Sequence, residues 1–548
     1  MSIYQKFCHE EIDEQGRVTS FKLDYPENFN FGYDVVDAIA EKTPDKRALV
    51  WCNTENEERI FTFGDISRLS NKCANVFRQA GLKKGDRVML ILKRHYEYWI
   101  ASVALNKLGV IMIPATHLLT VHDLVYRFNS AKVNGIVCTG QNDVPSKIKQ
   151  ALQEAGLDCK LWCVHDGNEG FENLGELMEG ADDTLERVET HNTDHMLMYF
   201  TSGTTGYPKG VIHDYAYPLG HITTAKYWQQ AQDGGLHFTI AETGWAKASW
   251  GKIYGQWLAE SAVMVYDFDN FDPKNIARII NKYKVTSFCA PPTFYRYLAK
   301  KGISDMPALT HASTAGEWLA PEIWREFTEV TGIPLCEGFG QTETTMLTGN
   351  LVGYEPVAGS MGLASPLYNL DLRDRDNNPV PTGEIGELVV IPPESGRQEG
   401  IFCAYLDNEE QYKHVWRGGV YHTGDAAWRD ENGYFWFNGR FDDIIKTGGF
   451  RVGPAEIEGI VLEHPAVMEC SVIGVPDALR GQAIKAVIVL AAGNEPTKQL
   501  EHDIKVFCNS KMADYKWIRF IEFVDELPKT ISGKVRKTVL REQDAAKK

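Results

Sequence analysis

The chain has 548 residues, of which 43% are hydrophobic and 24% charged, and its formal net charge is −17. This length predicts about three or four folding units, and the composition is that of a soluble globular protein. The acidic balance argues against a general nucleic-acid binder or anionic-membrane binder. It still allows an anionic small substrate, because a few local cations suffice to bind one.

The N-terminal segment and the cysteines predict a cytoplasmic protein. The N-terminal segment has no basic region followed by an apolar stretch, and no uncharged apolar run is long enough to cross a bilayer. The 11 cysteines are scattered without C-x-x-C pairs, which is typical of reduced thiols and disfavours a structural zinc site. We therefore expect a cytoplasmic location and no membrane insertion.

The first half of the chain alternates short apolar runs with amphipathic segments. Strands that alternate with amphipathic helices imply parallel sheets with helices on their faces. The pattern predicts strands at residues 88–92, 110–113, 135–138 and 161–164, and helices at residues 96–108 and 147–155.

The apolar run at residues 196–200 predicts a buried strand, and a polar loop follows it. Residues 201–210 read T-S-G-T-T-G-Y-P-K-G. Glycines let backbone N–H groups approach an anion, hydroxyls add donors and Lys209 adds positive charge, so the loop suits a polyphosphate. The spacing differs from G-x-x-x-x-G-K-[ST], which excludes a Walker-type loop. By itself such a loop could also be a solvated surface loop.

Further short strands are predicted at residues 262–266, 284–290 and 335–336. Near Pro379 turn-forming residues become frequent, and a predicted strand between them at residues 387–391 indicates a small β-rich subdomain. We place a domain boundary at Asp442, after which a compact segment follows. The compact segment has predicted strands at residues 467–474, 483–490 and 518–524, and predicted helices at residues 454–463 and 498–509.

Four further segments join the polar loop in order along the chain. Residues 337–343 read E-G-F-G-Q-T-E, residues 421–425 read Y-H-T-G-D, residues 439–458 read G-R-F-D-D-I-I-K-T-G-G-F-R-V-G-P-A-E-I-E, and residues 528–537 read P-K-T-I-S-G-K-V-R-K. With the loop, they closely resemble the adenylate-forming superfamily, in particular the acetyl- and medium-chain acyl-CoA synthetases.

The resemblance implies an α/β fold in two domains. Residues 1–441 would form a large N-terminal adenylation domain of parallel-type α/β subdomains with a small β-rich subdomain, binding the acid and ATP. Residues 442–548 would form a small, mobile α+β C-terminal domain, which rotates between two reaction steps about a hinge at Asp442. From the residues alone, Asp442 and Asp443 could equally begin a capped helix.

The resemblance also assigns the ATP and AMP ligands. Thr342 would lie near the α-phosphate, and Glu343 would help to hold Mg²⁺, an ion that prefers oxygen ligands. The alternative for Glu343 is a helix N-terminal carboxylate, and the alternative for Asp425, the proposed ribose ligand, is a turn residue. The full set of implied nucleotide-binding residues is Thr201, Ser202, Gly203, Thr204, Thr205, Gly206, Lys209, Gly316, Glu317, Glu337, Gly338, Phe339, Gln341, Asp425 and Arg440.

Two groups of residues in the C-terminal segment are implied to act in different steps. Lys534 would bridge the substrate carboxylate and the α-phosphate during adenylation, offsetting the repulsion between two anions. Gly448, Gly449 and Arg451 would bind CoA, because glycines leave room for its narrow arm and an arginine can pair with its phosphate. The alternative for Lys534 is a basic, solvated C-terminal tail.

By position, residues 243–252 and 289–293 resemble the two walls of an acyl pocket. Trp245 matches the residue beside the incoming thiol, Cys289 lies on the facing wall, and Trp250 would limit the pocket's depth. This predicts a short or branched acid, and the alternative is that Trp250 simply packs in the core. Lys247 stands where related pockets usually carry an uncharged residue, so it could pair with an acid or point outward.

These features predict an ATP- and CoA-dependent, AMP-forming acyl-CoA synthetase. Its substrates would be a short- to medium-chain carboxylic acid, ATP and CoA, with Mg²⁺, and the protein would be a monomer or homodimer without nucleic-acid partners. Three alternatives stay open: an adenylation enzyme that loads a separate carrier-protein thiol, an oxygenase of the luciferase kind, and a nucleotide-binding sensor. Acid-dependent pyrophosphate exchange separates the enzymes from the sensor.

Overall fold

The computed structural model describes residues 2–201, 208–300, 306–317, 319–448, 450–530 and 533–547. Its strands, in chain order, are β1 (Cys8–Ile12), β2 (Val18–Leu23), β3 (Arg47–Asn53), β4 (Glu58–Thr62), β5 (Arg87–Ile91), β6 (Ile111–Pro114), β7 (Gly135–Thr139), β8 (Lys160–Val164), β9 (Glu172–Asn173), β10 (His195–Thr201), β11 (Lys209–Asp214), β12 (Leu236–Thr239), β13 (Ala262–Asp267), β14 (Ser287–Cys289), β15 (His311–Thr314), β16 (Leu335–Gly340), β17 (Met346–Gly349), β18 (Leu363–Ala364), β19 (Asn369–Arg373), β20 (Gly386–Ile391), β21 (Ala404–Tyr405), β22 (Tyr421–Arg429), β23 (Phe435–Arg440), β24 (Ile445–Thr447), β25 (Phe450–Val452), β26 (Val467–Asp477), β27 (Gly481–Leu490) and β28 (Ile518–Phe523).

The α-helices alternate with these strands through the first two thirds of the chain. In chain order they are α1 (Ala38–Lys42), α2 (Phe63–Gln79), α3 (Glu97–Leu108), α4 (Val121–Ala131), α5 (Val144–Ala155), α6 (Leu174–Glu179), α7 (Tyr217–Thr223), α8 (Lys247–Gly251), α9 (Tyr254–Leu258), α10 (Pro273–Tyr283), α11 (Pro292–Lys300), α12 (Pro321–Thr331), α13 (Glu409–Val415), α14 (Pro454–Leu462), α15 (Lys498–Asn509) and α16 (Lys537–Ala546). None of the helices in the described ranges has both the length and the apolar character of a membrane span.

The described chain divides into two compact units. Among the described residues, unit 1 comprises residues 2–201, 209–300, 306–317, 319–368 and 393–413, and unit 2 comprises residues 208, 369–392, 414–448, 450–530 and 533–547. The domain boundary at Asp442 stays a prediction.

Unit 1 is built on two large sheets, and the first has the order β21-β11-β10-β6-β5-β7-β8-β9. Its strands run parallel from β10 to β9, and β6 and β7 are buried along their whole length. Strands covered on both faces become continuous apolar runs rather than alternating ones. The predicted strand–helix alternation is therefore confirmed.

The second sheet of unit 1 has the order β18-β17-β16-β15-β14-β12-β13-β3-β4. Its strands from β16 to β3 are parallel, with antiparallel β17 and β18 added at one edge and antiparallel β4 at the other. A separate hairpin of β1 and β2 lies at the N-terminus. In parallel sheets of this kind, ligands bind at the carboxyl ends of the strands. Most of the predicted ligand-binding residues of unit 1 lie at such ends or just after them.

The carboxyl ends of the two sheets are joined by polar contacts. After β5, His95 bonds through Nδ1 to an Asp267 oxygen at 2.8 Å and through Nε2 to the Thr139 hydroxyl at 2.9 Å. Lys93 Nζ lies 2.7 Å from Asp269 Oδ1. These contacts fix the edge of β5 against the edge of β13.

Unit 2 contains an antiparallel sheet of order β19-β20-β22-β23 and a second sheet of order β25-β24-β27-β26, with β28 parallel to β27. Helices α14 and α15 begin at the predicted residues and end within one residue of the predicted ends. The α+β character predicted for the C-terminal segment is confirmed.

Buried histidines of unit 1 predict a loss of stability in mild acid. Burial lowers the pKa of His213 and His237 to about 3 and of His311 to about 4. The unfolded chain, where the histidine pKa is about 6.5, then binds more protons than the folded chain between about pH 4 and pH 6.5, so stability falls as the pH falls. Each of the three contributes a loss of about 1.4 kcal/mol between pH 7.5 and pH 5.5.

Other buried groups add to this loss or oppose it. Burial also lowers the pKa of His221 and of Lys252 well below their ordinary values, which adds to the loss. Burial raises the pKa of Asp214 to about 6 and that of Glu337 well above its ordinary value, which opposes the loss, and Asp214 alone offsets about 1 kcal/mol. We expect a net loss, seen as a lower urea midpoint at pH 5.5 than at pH 7.5, and equal midpoints would contradict this expectation.

Candidate active site

The predicted phosphate loop is closed by a β-hairpin. Strands β10 and β11 pair so that Thr201 lies directly opposite Lys209. The Lys209 ammonium lies 5.7 Å from the ring centroid of Tyr405, on the neighbouring strand β21. The loop residues between them, namely Ser202, Gly203, Thr204, Thr205 and Gly206, lie outside the described residues.

The segment 341–345, between β16 and β17, carries the predicted catalytic residues Thr342 and Glu343 and is for that reason called the catalytic loop. The Glu343 backbone carbonyl accepts a hydrogen bond from Phe402 N–H at 2.7 Å, and Thr345 N–H donates to the Gly400 carbonyl at 2.8 Å. The Tyr405 hydroxyl donates to Glu343 Oε1 at 2.9 Å. Residues 400–405 therefore hold this loop in place.

A buried histidine holds the catalytic loop from the other side. His213 Nε2 donates to the Thr342 carbonyl oxygen at 2.8 Å. Because burial lowers the pKa of His213 to about 3, the ring is neutral, and this bond fixes its proton on Nε2. The sequence analysis missed both His213 and Tyr405, since each acts through a loop residue that lies far away along the chain.

Strands β15 and β16 bring the predicted adenine-binding residues together. These strands are parallel neighbours with Thr314 opposite Glu337, so Gly316 and Glu317 lie beside the Glu337–Phe339 segment. Glu337 accepts a 3.4 Å bond from Leu319 N–H, and burial raises its pKa well above the usual range. Burial therefore favours the neutral form of the Glu337 carboxyl.

The predicted acyl-pocket residues lie next to this wall. Trp250 is 6% exposed and belongs to one apolar cluster with Trp228 and Cys289. The Trp250 and Trp228 rings meet edge to face at 6.1 Å, and the Trp250 ring packs so closely on Gly340 that any Cβ there would overlap it. Trp250 thus ends directly against the residue that precedes the catalytic loop.

Two other predicted pocket residues lie at the same end of helix α8. The Lys247 ammonium donates to the Ala315 carbonyl oxygen, just before Gly316. Trp245 is partly buried two residues before Lys247, and its carbonyl accepts a hydrogen bond from Ala248 N–H at 2.9 Å. Lys247 therefore contacts the predicted adenine wall rather than pointing away into solvent.

In unit 2 the predicted ribose ligand, Asp425, contacts Arg440, which is predicted to contact the ribose or a phosphate. Asp425 and Arg440 are paired in register on β22 and β23, and Arg440 Nη1 donates to Asp425 Oδ1 at 3.0 Å. The buried Glu387 accepts from Gly424 N–H and from His422 Nδ1, each at 2.9 Å. Glu387 holds the turn that presents Asp425, and the sequence analysis missed it.

The remaining predicted residues of unit 2 lie on exposed turns. Lys534 is exposed, and its carbonyl accepts a 2.8 Å bond from Thr530 N–H. Asp442 is exposed in a short 3₁₀ turn. Gly448 has a φ of 56°, a conformation that favours glycine. Gly449 and the side chain of Arg451 lie outside the described residues.

Comparison with known proteins identifies the family. Residues 36–397 match the AMP-binding enzyme family, and residues 456–534 match the AMP-binding enzyme C-terminal domain. The chain is 37% identical to the mitochondrial acyl-coenzyme A synthetase ACSM3 of Homo sapiens, covering 98% of this chain and 93% of the relative. It is also 37% identical to the mitochondrial acyl-coenzyme A synthetase ACSM4 of Homo sapiens, covering 95% and 91%.

A solved structure supports the same grouping. The anthranilate CoA ligase AuaEII in complex with anthranoyl-AMP superposes with a TM-score of 0.84 at 27% identity, covering 95% of this chain and 99% of that one.

The comparison corrects the predicted location. The relatives are mitochondrial proteins, so the prediction of a cytoplasmic protein is wrong. Scattered cysteines indicate a reducing compartment. This observation does not separate the cytoplasm from the mitochondrial interior.

The relatives and the fold also decide between the functions considered above. The matched family covers both compact units, the relatives are acyl-CoA synthetases, and the superposed ligase contains an acyl-adenylate. ATP and CoA are therefore substrates. The chain belongs to the AMP-binding enzyme family, within the adenylate-forming superfamily, as an AMP-forming acid–CoA ligase.

Proposed function

We propose that this ligase activates a short- to medium-chain carboxylic acid, branched acids included. In the first step a carboxylate oxygen attacks the α-phosphorus of ATP, and the bond to the bridging oxygen breaks as pyrophosphate leaves. In the second step the CoA sulfur attacks the acyl carbon, the bond to the AMP oxygen breaks, and the thiol proton passes to solvent. The acid becomes a good electrophile because AMP is a good leaving group.

The contact between Trp250 and Gly340 carries the proposal about acid size. The indole fills the space directly behind Gly340, the residue that precedes the catalytic loop, where the tail of an activated acid would extend. A bulky, buried side chain there limits the length of the acid. Cys289, which is fully buried in the same apolar cluster, would form the facing wall, and Trp245 would lie beside the incoming thiol.

The nucleotide would be held mainly by the ends of parallel strands. Gly316, Glu317 and the Glu337–Phe339 segment would enclose the adenine, with Gln341 and Thr342 near the α-phosphate. Lys209 and the loop that precedes it would hold the β- and γ-phosphates, where fixed donors stabilise the charge of departing pyrophosphate. Asp425 would accept hydrogen bonds from the ribose hydroxyls, with Arg440 beside it.

Glu343 would hold Mg²⁺. The described residues contain no group of three or more His, Cys, Asp or Glu side chains that could hold a metal ion by themselves. One partly buried carboxylate fits Mg²⁺, which is usually bound by one or two carboxylates together with substrate phosphates and water. When bound, the ion would neutralise charge on the phosphates. Tyr405 fixes the orientation of the Glu343 carboxylate through its 2.9 Å hydrogen bond.

The C-terminal segment would act in both steps. We propose that residues 442–548 form a mobile domain that turns about Asp442, presenting Lys534 for adenylation and Gly448, Gly449 and Arg451 for CoA binding. The exposure of Lys534 and Asp442 is compatible with these roles. From its relatives we also propose a mitochondrial location, and we propose a monomer or homodimer.

Replacing Trp250 tests the limit on acid size. Trp250→Gly should shift the optimum of kcat/KM by at least two methylene groups, because it opens space behind Gly340 and one methylene in an apolar pocket is worth about 1–3 kcal/mol. The measurement is kcat/KM across straight-chain acids. Trp324→Gly, at a partly buried tryptophan of α12, should leave the profile unchanged. An unchanged profile in Trp250→Gly would mean that Trp250 only packs in the core.

The acid itself is found with a substrate panel. Purified enzyme with MgATP and CoA is given acids from acetate through branched and aryl acids to decanoate, and AMP release is measured. We expect the highest kcat/KM among short- to medium-chain acids. Conversion of none of these acids, or AMP release only with a carrier protein in place of CoA, would contradict the proposal.

A further inference from the structure

A buried histidine behind the catalytic loop lacks hydrogen bonds. His221, on helix α7, is fully buried, and within the described part of the chain neither of its ring nitrogens has a hydrogen-bond partner. Buried polar groups in native proteins are nearly always paired, since leaving one unpaired costs free energy. An imidazole with both nitrogens unpaired therefore indicates that a group outside the protein chain bonds to it.

Aromatic side chains surround His221. Its ring centroid lies 4.7 Å from that of Tyr217, 6.0 Å from that of Tyr254 and 6.3 Å from that of Trp250. Tyr217 is also fully buried, and its hydroxyl makes no hydrogen bond of acceptable geometry, although the Trp250 indole is within reach. The His221 imidazole and the Tyr217 hydroxyl thus lie in one apolar, aromatic cluster without a hydrogen-bond partner among the described residues.

The cluster is linked to the catalytic loop through two residues, Gly340 and His213. The Trp250 ring packs on Gly340, directly before the loop. The Tyr217 ring lies 3.8 Å from that of His213, whose Nε2 donates to the Thr342 carbonyl oxygen. An acid whose carboxylate is activated beside Thr342 would direct its tail toward this cluster.

The ring of His221 is neutral. Burial lowers its pKa well below the ordinary value, so one nitrogen carries a hydrogen and the other a lone pair. Because the ring is fully buried among aromatic side chains, where burying a charge costs most, the favoured partner is an uncharged group that can donate or accept a hydrogen bond. A hydroxyl does both, whereas a methyl group of the same size does neither.

We propose that His221 and Tyr217 form the polar end of the acyl pocket, and that the preferred acid carries a hydroxyl group at the end away from its carboxylate. This rests on the proposed function. A site built to bond a hydroxyl rejects the analogue without one strongly, because its own polar groups are then left unpaired. A purely apolar pocket would instead favour the methyl analogue.

The test compares acids that differ only by hydroxyl against methyl. The pairs are 3-hydroxypropanoate with butanoate, 4-hydroxybutanoate with pentanoate, and 3-hydroxybenzoate with 3-methylbenzoate. For the best-used pair, wild-type enzyme should prefer the hydroxy acid in kcat/KM by about tenfold or more. The ratio within a pair is unaffected by the fraction of active enzyme.

Two substitutions at one position separate recognition from packing. His221→Leu should remove the preference or reverse it, because it retains volume without polar atoms, while His221→Gln should keep part of it. His221→Leu should also unfold at a temperature no lower than wild type, since the histidine has no protein hydrogen bond to lose. A preference for the methyl acids in wild type, or a hydroxyl preference unchanged in His221→Leu, would overturn the proposal and leave a buried water as the partner.

The outcome is separable from the proposed function. If acids are converted to thioesters without regard to the hydroxyl, only this inference fails. If none of the acids supports AMP release, the proposed function fails first.

Discussion

Lys534→Ala should lower the rate of acyl-adenylate formation by on the order of 10³-fold. Adenylation brings a carboxylate and a phosphate together, and removing the cation that would bridge them restores their repulsion. The same variant should form thioester from supplied acyl-adenylate and CoA at close to the wild-type rate, because that step has no such pair of anions. Separate assays of the two half-reactions measure both effects.

Lys529→Ala is the matched control for this experiment. Lys529 lies five residues earlier on the same turn-rich segment and makes an exposed ion pair with Glu469. An exposed pair contributes little to stability, so both half-reactions should stay within about twofold of wild type. Equal loss of both steps in Lys534→Ala would contradict the role given to Lys534.

Glu343→Gln should lower adenylation by on the order of 10²-fold and raise the Mg²⁺ concentration needed for half-maximal rate. The substitution keeps the shape of the side chain and removes its negative charge, which is what Mg²⁺ requires. It would also weaken the hydrogen bond from Tyr405, which is stronger to a charged oxygen. Pyrophosphate exchange measured across a Mg²⁺ titration gives both quantities.

Two further variants serve as controls for Glu343→Gln. Tyr405→Phe keeps the charge and removes only the 2.9 Å hydrogen bond, so its effect should be about tenfold. Glu322→Gln removes a surface carboxylate of α12 that pairs with Arg325 and should leave the Mg²⁺ dependence unchanged. If Glu343→Gln had wild-type activity at every Mg²⁺ concentration, Glu343 would not be a metal ligand.

The parallel sheets could be predicted from sequence because their strands are buried on both faces. Burial forces continuous apolar runs such as that of β7 (Gly135–Thr139), and these runs are visible without a structure. The N-terminal hairpin was not predicted. Strand β1 (Cys8–Ile12) is mostly exposed, so its composition differs little from that of a loop.

The candidate site could likewise be predicted only in part from the sequence. Residues that would touch the ligand lie together in short motifs, so the sequence predicted Thr342, Glu343 and Asp425 as a group. The side chains that hold these residues in place do not lie in the same motifs. Tyr405 is 62 residues from Glu343, and His213 is 129 residues from Thr342. Only the pairing of distant strands brings these residues together.

Some side-chain roles require the structure. Lys247 looked like a possible acid-binding cation, but its ammonium lies at the Ala315 carbonyl oxygen. His221 gave no signal in the sequence, because a histidine on an apolar helix face is usually a satisfied core residue. Its unpaired nitrogens become visible only when all of its neighbours are placed.

The central claim is that the enzyme joins an acid to AMP before CoA takes part. Its most direct test is the exchange of labelled pyrophosphate into ATP, with MgATP and each acid of the panel and with CoA left out. The account predicts exchange that depends on the acid, that needs no CoA, and that Lys534→Ala lowers by on the order of 10³-fold. If an acid is converted to its CoA thioester but supports no exchange unless CoA is present, no acyl-adenylate forms independently, and the account is contradicted.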